Sequence, residues 1–390
     1  MTAIVGILNK RAACVAADSA VTFGNGFKIH NSANKIFPVG EKHPVGIMIY
    51  GNACFIKTPW EIIINMYGNY IKNGQKECLE SYAQDFIHFL YQNHFFMDEQ
   101  NIDSYLQNFL YHIHEFIKNE AKSTCKTLVE IYKLYNNVFI KGSKCEELIN
   151  LSFDDFLKLT SHTINVIKSE ITFSKECNVE ENLLIEKTFY EIIKAKDYIF
   201  QSSGIVFVGY GKSDIYPKLM SYKISFPIKH KLRYFCDNHT AINNYGIDAS
   251  ITPFAQTDVI DTIISGINNP LLQKFLNYSK ETLEEMHRSI LSELLIEYKN
   301  IPKNIDNFNI EKFIDELSKK ITSHLRDDHV VPLLQSIGAL EKSELAEVAE
   351  SLIALTSVKR KITFYTESVG GPIDVAIISK HEGFQWIKKK

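Results

Sequence analysis

Thr2-Ala-Ile-Val-Gly-Ile-Leu8, the turn Asn9-Lys10-Arg11, and Ala12-Ala-Cys-Val-Ala-Ala-Asp18 open the chain. Two short apolar runs about a polar turn read as a hairpin whose strands are buried on both faces, because a strand with one wet face would alternate. With the turn centred on Lys10, Asp18 stands opposite Thr2. A register one residue away puts Ala17 there instead. Either way a carboxylate lies near the second residue of the chain.

Working outward, Gly24-Asn25-Gly26 is a turn signal, residues 27–39 read as a strand pair, and residues 45–51 read as a further buried strand. Thr58-Pro59-Trp60-Glu61 has the spacing of a capping box with proline at the first helical position, so a helix is predicted from there. Residues 59–200 are mainly helical in pattern. Strands return at 204–210, 218–226, 232–236 and 249–254. A second helical stretch covers 258–357, with a break at 300–309, and strands at 373–379 and 384–388 close the chain. This order predicts an α+β fold with two antiparallel sheets packed together and helices outside. The regions read as 2–58, 201–266 and 336–390 for the core, with a largely helical region at 59–200 and a helical insertion at 267–335.

The chain has 390 residues, a formal net charge of −3 and 45% hydrophobic residues, values that fit a globular protein and give no basic excess for nucleic acid. Seven cysteines without a Cys-x-x-Cys pair suggest neither a disulfide framework nor a zinc ribbon. Asn9-Lys10-Arg11 interrupts the first apolar run, which argues against a signal peptide, and no uncharged stretch approaches the ~20 residues of a membrane span. The expected location is cytoplasmic.

Thr2 is small enough for Met1 to be removed by a methionine aminopeptidase, which would leave a threonine with a free α-amine. An α-amine titrates near 7.7–8.0, so at neutral pH it can act as the base for its own hydroxyl. A neighbouring cation would lower the pKa of both groups.

Thr2-Ala-Ile-Val, Val15-Ala-Ala-Asp18-Ser19-Ala-Val-Thr22 with Gly24, Asn34-Lys35-Ile36-Phe37, and Ile49-Tyr50-Gly51-Asn52-Ala53 resemble the opening of proteasome β-subunits. They are also similar to the bacterial threonine peptidase that partners an ATP-driven unfoldase. The resemblance is clearest over residues 2–58 and weaker over 204–258 and 344–388. It implies a four-layer αββα N-terminal nucleophile (Ntn) hydrolase fold and a threonine-type peptidase. In that reading Thr2 is the nucleophile and its amine the base, Asp18 orients the lysine, and Lys35 lowers the hydroxyl pKa. The Gly51 N–H forms the oxyanion hole, and Thr22 and Ala53 pair their backbones with an extended peptide. Between Asp18 and Lys35 the chain is one residue longer than the family pattern, an excess assigned to Asn25-Gly26, so Lys28 remains the other lysine to weigh. Where the family supports the amine with serine and aspartate, this chain reads Phe254-Ala255-Gln256-Thr257-Asp258 and Tyr365-Thr366-Glu367-Ser368-Val369-Gly370-Gly371.

The resemblance implies a peptide or protein substrate, a homo-oligomer, and a possible ATP-dependent unfoldase or other protein partner; neither nucleic acid nor membrane is expected. That chemistry needs no metal and no organic cofactor. Two rivals share the sequence: an amidohydrolase for small molecules on the same fold, and a non-catalytic assembly or sensor protein binding through its helical insert. Elsewhere, His112 and His114 lie two apart on a predicted helix and face different ways, which speaks against a metal pair. Gly211-Lys212-Ser213 lacks the glycine five residues earlier of a phosphate loop and reads as a turn.

Overall fold

The computed structural model describes residues 2–23, 28–40, 43–71, 74–93, 99–172, 178–196, 202–228, 231–243, 245–297, 309–363 and 369–390. Its strands are β1 (Ala3–Asn9), β2 (Ala13–Asp18), β3 (Val21–Phe23), β4 (Lys28–His30), β5 (Ile36–Pro38), β6 (Val45–Gly51), β7 (Cys54–Phe55) and β8 (Thr58–Pro59). They continue as β9 (Ser203–Gly209), β10 (Lys218–Ile228), β11 (Lys231–Ala241), β12 (Ala249–Ala255), β13 (Ile373–Ser379) and β14 (Gly383–Lys388). With antiparallel strand pairs and long helices, the fold is α+β. The chain divides into two compact units. The first holds Met1–Ala33, Ile242–Ile377 and Trp386–Lys390, the second Asn34–Ala241 and Ile378–Gln385.

The first unit is built on a five-stranded sheet in the order β12-β1-β2-β13-β14. Every residue of β1 and β2 is buried, which accounts for the unbroken apolar runs. Ala3, Val5, Ile7, Cys14 and Ala16 share one core with Leu345, Ala349 and Ile353 of the helix Lys342–Ile362. The small side chains on β2 let that helix approach closely.

The hairpin register differs from the expectation by one residue. Ile4 pairs with Ala17 and Leu8 with Ala13, so Asp18 falls opposite Ala3 and not Thr2. The turn explains the shift. Asn9 N–H donates to the Ala12 carbonyl at 3.0 Å, leaving Lys10 and Arg11 as a two-residue loop. The Asn9 side-chain oxygen also accepts from the amides of Arg11 (2.9 Å) and Ala12 (3.1 Å), a turn-forming role typical of asparagine. Its Nδ2 donates to Ile337 and Leu340 carbonyls, tying the turn to the sheet's helical cover.

The second unit carries a five-stranded sheet in the order β11-β10-β9-β6-β5. Ile47, Ile49, Ile205 and Phe207 pack with Trp60 and Tyr67 of the helix Trp60–Ile71 and with Tyr82 and Phe86 of Leu79–Gln92. The helices Glu99–Thr124, Leu128–Lys141, Phe153–Thr172 and Val179–Lys194 form a second core about Ile113, Tyr132, Phe156 and Phe189, which Phe226 and Ile228 of β10 join. Two of these helices open on capping boxes, Thr127/Glu130 and Asn178/Glu181.

Several local expectations are corrected. Among the described residues of 27–39 the two strands do not pair with each other: β4 pairs with β3, and β5 with β6. Thr58 and Pro59 form β8 against β7, and the helix begins one residue later at Trp60, whose amide donates to Ala53 O. The turn at Gly24-Asn25-Gly26 lies outside the described residues, and so do 300–308 of the expected break. Gly211-Lys212-Ser213 is a turn, with Gly211 N–H donating to Asp214 Oδ2 at 2.8 Å.

His114 is buried inside the helical core, and His112 is exposed on the same helix. Burial pushes the His114 imidazole below the ordinary histidine value, opposed in part by the carboxylate of Glu170, 3.8 Å away. The neutral ring is therefore favoured in the fold, and its contribution to stability is complete above the unfolded value of about 6.5 and is lost as pH falls below it. The melting temperature is expected to drop between pH 7 and pH 5.5, with a shallower drop in His114→Gln. Parallel slopes would remove this residue as the cause.

Candidate active site

Thr2 sits at the head of β1 with only 7% of its surface exposed. The peptide group that follows it is held at both its carbonyl and its amide. The Thr2 carbonyl accepts from Gln256 N–H at 3.1 Å, and the amide that follows, Ala3 N–H, donates to Asp18 Oδ1 at 2.9 Å. Asp18, 1% exposed, uses its other oxygen for the amides of Ala20 (3.2 Å) and Gly370 (3.1 Å). One buried carboxylate thus ties the start of β1, the end of β2 and the segment before β13 together. Ser19 adds to this anchor: its amide donates to Gly370 O at 3.2 Å and its hydroxyl to Pro372 O at 2.7 Å.

Residues 254–258 are one of the two stretches where the sequence departs from the family pattern of amine support. Ala255 has φ +65°, a strained value for a residue with a Cβ, and this bend delivers Gln256 N–H to Thr2. Asp258 turns elsewhere. It pairs with Lys359 Nζ at 2.8 Å and with Arg360. Burial raises its pKa, but the two cations outweigh burial and hold the carboxyl below the usual aspartate value. Residues 365–368 lie outside the described residues. Thr22 lies in β3 with its backbone opposite Ile29, and Lys28 lies opposite Phe23.

In the second unit, Lys35 is 3% exposed and immediately precedes β5, where its carbonyl accepts from Ile49 N–H at 2.9 Å. Gly51 ends β6 opposite Ser203 with φ +79°, and a Cβ placed there would stand 2.4 Å from the Ser202 carbonyl oxygen. Both facts demand glycine. Gly51→Ala is expected to cost about 3 kcal/mol, the sum of a left-handed penalty and a backbone displacement, read as a lowered melting temperature. An unchanged melt would show the loop to be freely adjustable. Ala53 is exposed, and its carbonyl receives Trp60 N–H at 3.0 Å.

Sequence reading passed over the polar cluster beside Gly51. Trp60 Nε1 donates to Ser203 Oγ at 2.7 Å, and Ser203 Oγ donates to Asn52 O at 3.0 Å, bracing the Gly51–Asn52 turn. No sequence motif joins residues 52, 60 and 203, so only tertiary contact reveals the brace.

Among the described residues, His114, Glu115 and Glu170 bring possible metal-ligand atoms within 4.8 Å of one another. Both carboxylates are exposed and Glu115 is engaged by Lys118 at 2.8 Å, so the cluster is read as ion pairing. No helix among the described residues is long and apolar enough to cross a membrane.

No protein-family model matches the chain. No curated protein matches it either. Among solved structures, it aligns with the Anbu (Gly-1) mutant from Hyphomicrobium sp. strain MC1 at 10% identity and TM-score 0.31, over 100% of this chain and 87% of that one. It aligns with Anbu (ancestral β-subunit) from Yersinia bercovieri at 9% identity and TM-score 0.32, over 100% of this chain and 88% of that one. At that level the alignments carry no family assignment. The identification with proteasome β-subunits and their threonine peptidases is therefore corrected. The residues that suggested it, such as Ala3-Ile4-Val5 and Val15-Ala16-Ala17, are also what two fully buried strands require of any sequence.

Proposed function

We propose that the chain is an N-terminal nucleophile hydrolase that cleaves an amide bond, peptide or other, through Thr2 once Met1 has been removed. The observation that carries the reading is the anchoring of the Thr2–Ala3 peptide group, by Gln256 N–H on the Thr2 carbonyl and by Asp18 on the amide of Ala3. A nucleophile must be held within a fraction of an ångström to act, and first residues normally fray. Here the chain's second residue is buried and held like a mid-strand residue.

In this mechanism the Thr2 hydroxyl oxygen attacks the substrate carbonyl while its own α-amine takes the hydroxyl proton. The C–N bond breaks as the ammonium returns that proton to the leaving amine, which leaves an ester on Thr2. Water then attacks the ester with the α-amine as base, releasing the acid and restoring the hydroxyl. Lys35 is assigned the cation that lowers the hydroxyl and amine pKa, Asp18 the orienting anion, and Gly51 N–H the donor to the oxyanion. Thr22 and Ala53 are assigned to the substrate backbone. The four-layer αββα sandwich and a homo-oligomer belong to the same proposal.

The test is the intact mass of the purified protein with and without an epoxyketone peptide. Loss of Met1 and a single adduct, formed more slowly in Lys35→Met, is the expected result. A retained Met1 with no adduct would sink the proposal.

One observation favours a second reading, a partner-binding protein. The helices Asn269–Glu297 and Ile310–Leu325 expose Leu271, Phe275, Tyr278, Met286 and Phe313. Under that reading Thr2→Ala leaves cellular function intact, whereas the hydrolase reading requires its loss.

A further inference from the structure

A pocket of about 290 Å³ opens in the second unit, beside the loop that follows β6, between the helix Glu99–Thr124 and the end of β10. Phe109 and Phe226 form an apolar wall, their ring centroids 4.6 Å apart. Tyr105 completes that side, its hydroxyl donating to the Ile56 carbonyl at the rim. The volume lies near the lower end of small-molecule sites, roughly 300–1,000 Å³.

The opposite chemistry comes from Ser225, 8% exposed, which lines the same pocket. Its Oγ accepts from Arg233 Nη1 at 3.0 Å, and among the described residues its own hydroxyl hydrogen has no acceptor. A hydroxyl that accepts from a guanidinium is polarised and donates more strongly onward. Arg233 is fully buried and fixed, with Nε donating to Ile193 O at 2.8 Å and Nη2 to Ala195 O at 2.6 Å. Its Cζ stands 6.0 Å from the Phe109 ring centroid, so a fixed positive charge lies behind the aromatic wall. Asn108 is exposed and lines the pocket; its side-chain amide makes no hydrogen bond within the described residues and supplies a second donor.

We propose that this pocket binds a small carboxylate with an aromatic or similarly apolar body. The carboxylate accepts from Ser225 and Asn108, and the ring lies on Phe109 and Phe226. The buried guanidinium opposes a cation and favours an anion over its neutral amide. The aromatic wall fits an organic acid better than a compact, strongly hydrated anion such as phosphate. The site does not depend on the hydrolase reading, although Asn52, the residue after Gly51, also lines it.

The test titrates phenylacetate and phenylacetamide into the full chain carrying Thr2→Ala, followed by calorimetry, so that no turnover can intrude. Phenylacetate is expected to bind saturably at one site, about tenfold or more tighter than the amide, as a charge-assisted hydrogen bond would give. Ser225→Ala should remove that preference. Asn108→Trp, which fills the mouth from an exposed helical position, should abolish binding of both. Absence of saturable phenylacetate binding, equal affinity for acid and amide, or full binding in Asn108→Trp would each overturn the assignment. Phenylacetate binding in a chain whose wild type forms no epoxyketone adduct would leave this site standing and the hydrolase reading fallen.

Discussion

Replacing Thr2 with alanine is expected to abolish amide hydrolysis, with a loss on the order of 10⁶-fold, the scale seen when an activated hydroxyl nucleophile is removed. The fold should hardly notice. Only the hydroxyl and a methyl group are lost at a position held by its main chain, through Gln256 N–H to Thr2 O and Ala3 N–H to Asp18. Thr2→Ser keeps the oxygen and should retain most of the rate. A serine variant as dead as the alanine one, or an alanine variant with wild-type turnover, would remove Thr2 from the chemistry. Circular dichroism melts of all three proteins separate loss of the nucleophile from loss of the fold.

Asp18→Ala should have the opposite signature, a large loss of stability. Three buried amides, those of Ala3, Ala20 and Gly370, would lose their acceptor at once. Each unsatisfied buried donor costs about 1–3 kcal/mol, and after partial relaxation and some water entry the total should be about 3–5 kcal/mol. Asp18→Asn keeps one acceptor oxygen but turns an N–H₂ towards a backbone donor, so it should fall between the two. Urea unfolding reads the difference. A midpoint for Asp18→Ala within error of wild type would show that water replaces the carboxylate without cost. Because Ala3 N–H anchors the residue after Thr2, hydrolysis should fall as well, and more steeply than in variants of equal instability elsewhere.

Much of the architecture was legible in the residue order. The unbroken apolar runs at 2–8, 12–18 and 45–51 announced strands buried on both faces, and β1, β2 and β6 lie within two residues of those limits. The helical blocks and the closing pair of strands were legible for the same reason: the period of apolar residues is a local property. Asp18 was legible as a carboxylate near Thr2, since a tight hairpin can bring little else there.

The register was not legible, because it rests on Asn9 binding the amides of its own turn and the carbonyls of Ile337 and Leu340. Thr58 and Pro59 carried a helix-start signal that pairing with Cys54 and Phe55 overrode. Asp258, in the stretch where the family that the sequence resembles places a serine, pairs with Lys359 and Arg360, about a hundred residues away along the chain. The Ser225–Arg233 pair joins β10 to β11 across a register shift between Ile224 and Pro227 that no local pattern announces. The sequence by itself determined which segments become strands and helices and that a carboxylate lies beside the start of the first hairpin. Tertiary structure alone decided the register and the partners of each buried charge, because burial makes an unpaired polar group costly and its partner can come from any part of the chain.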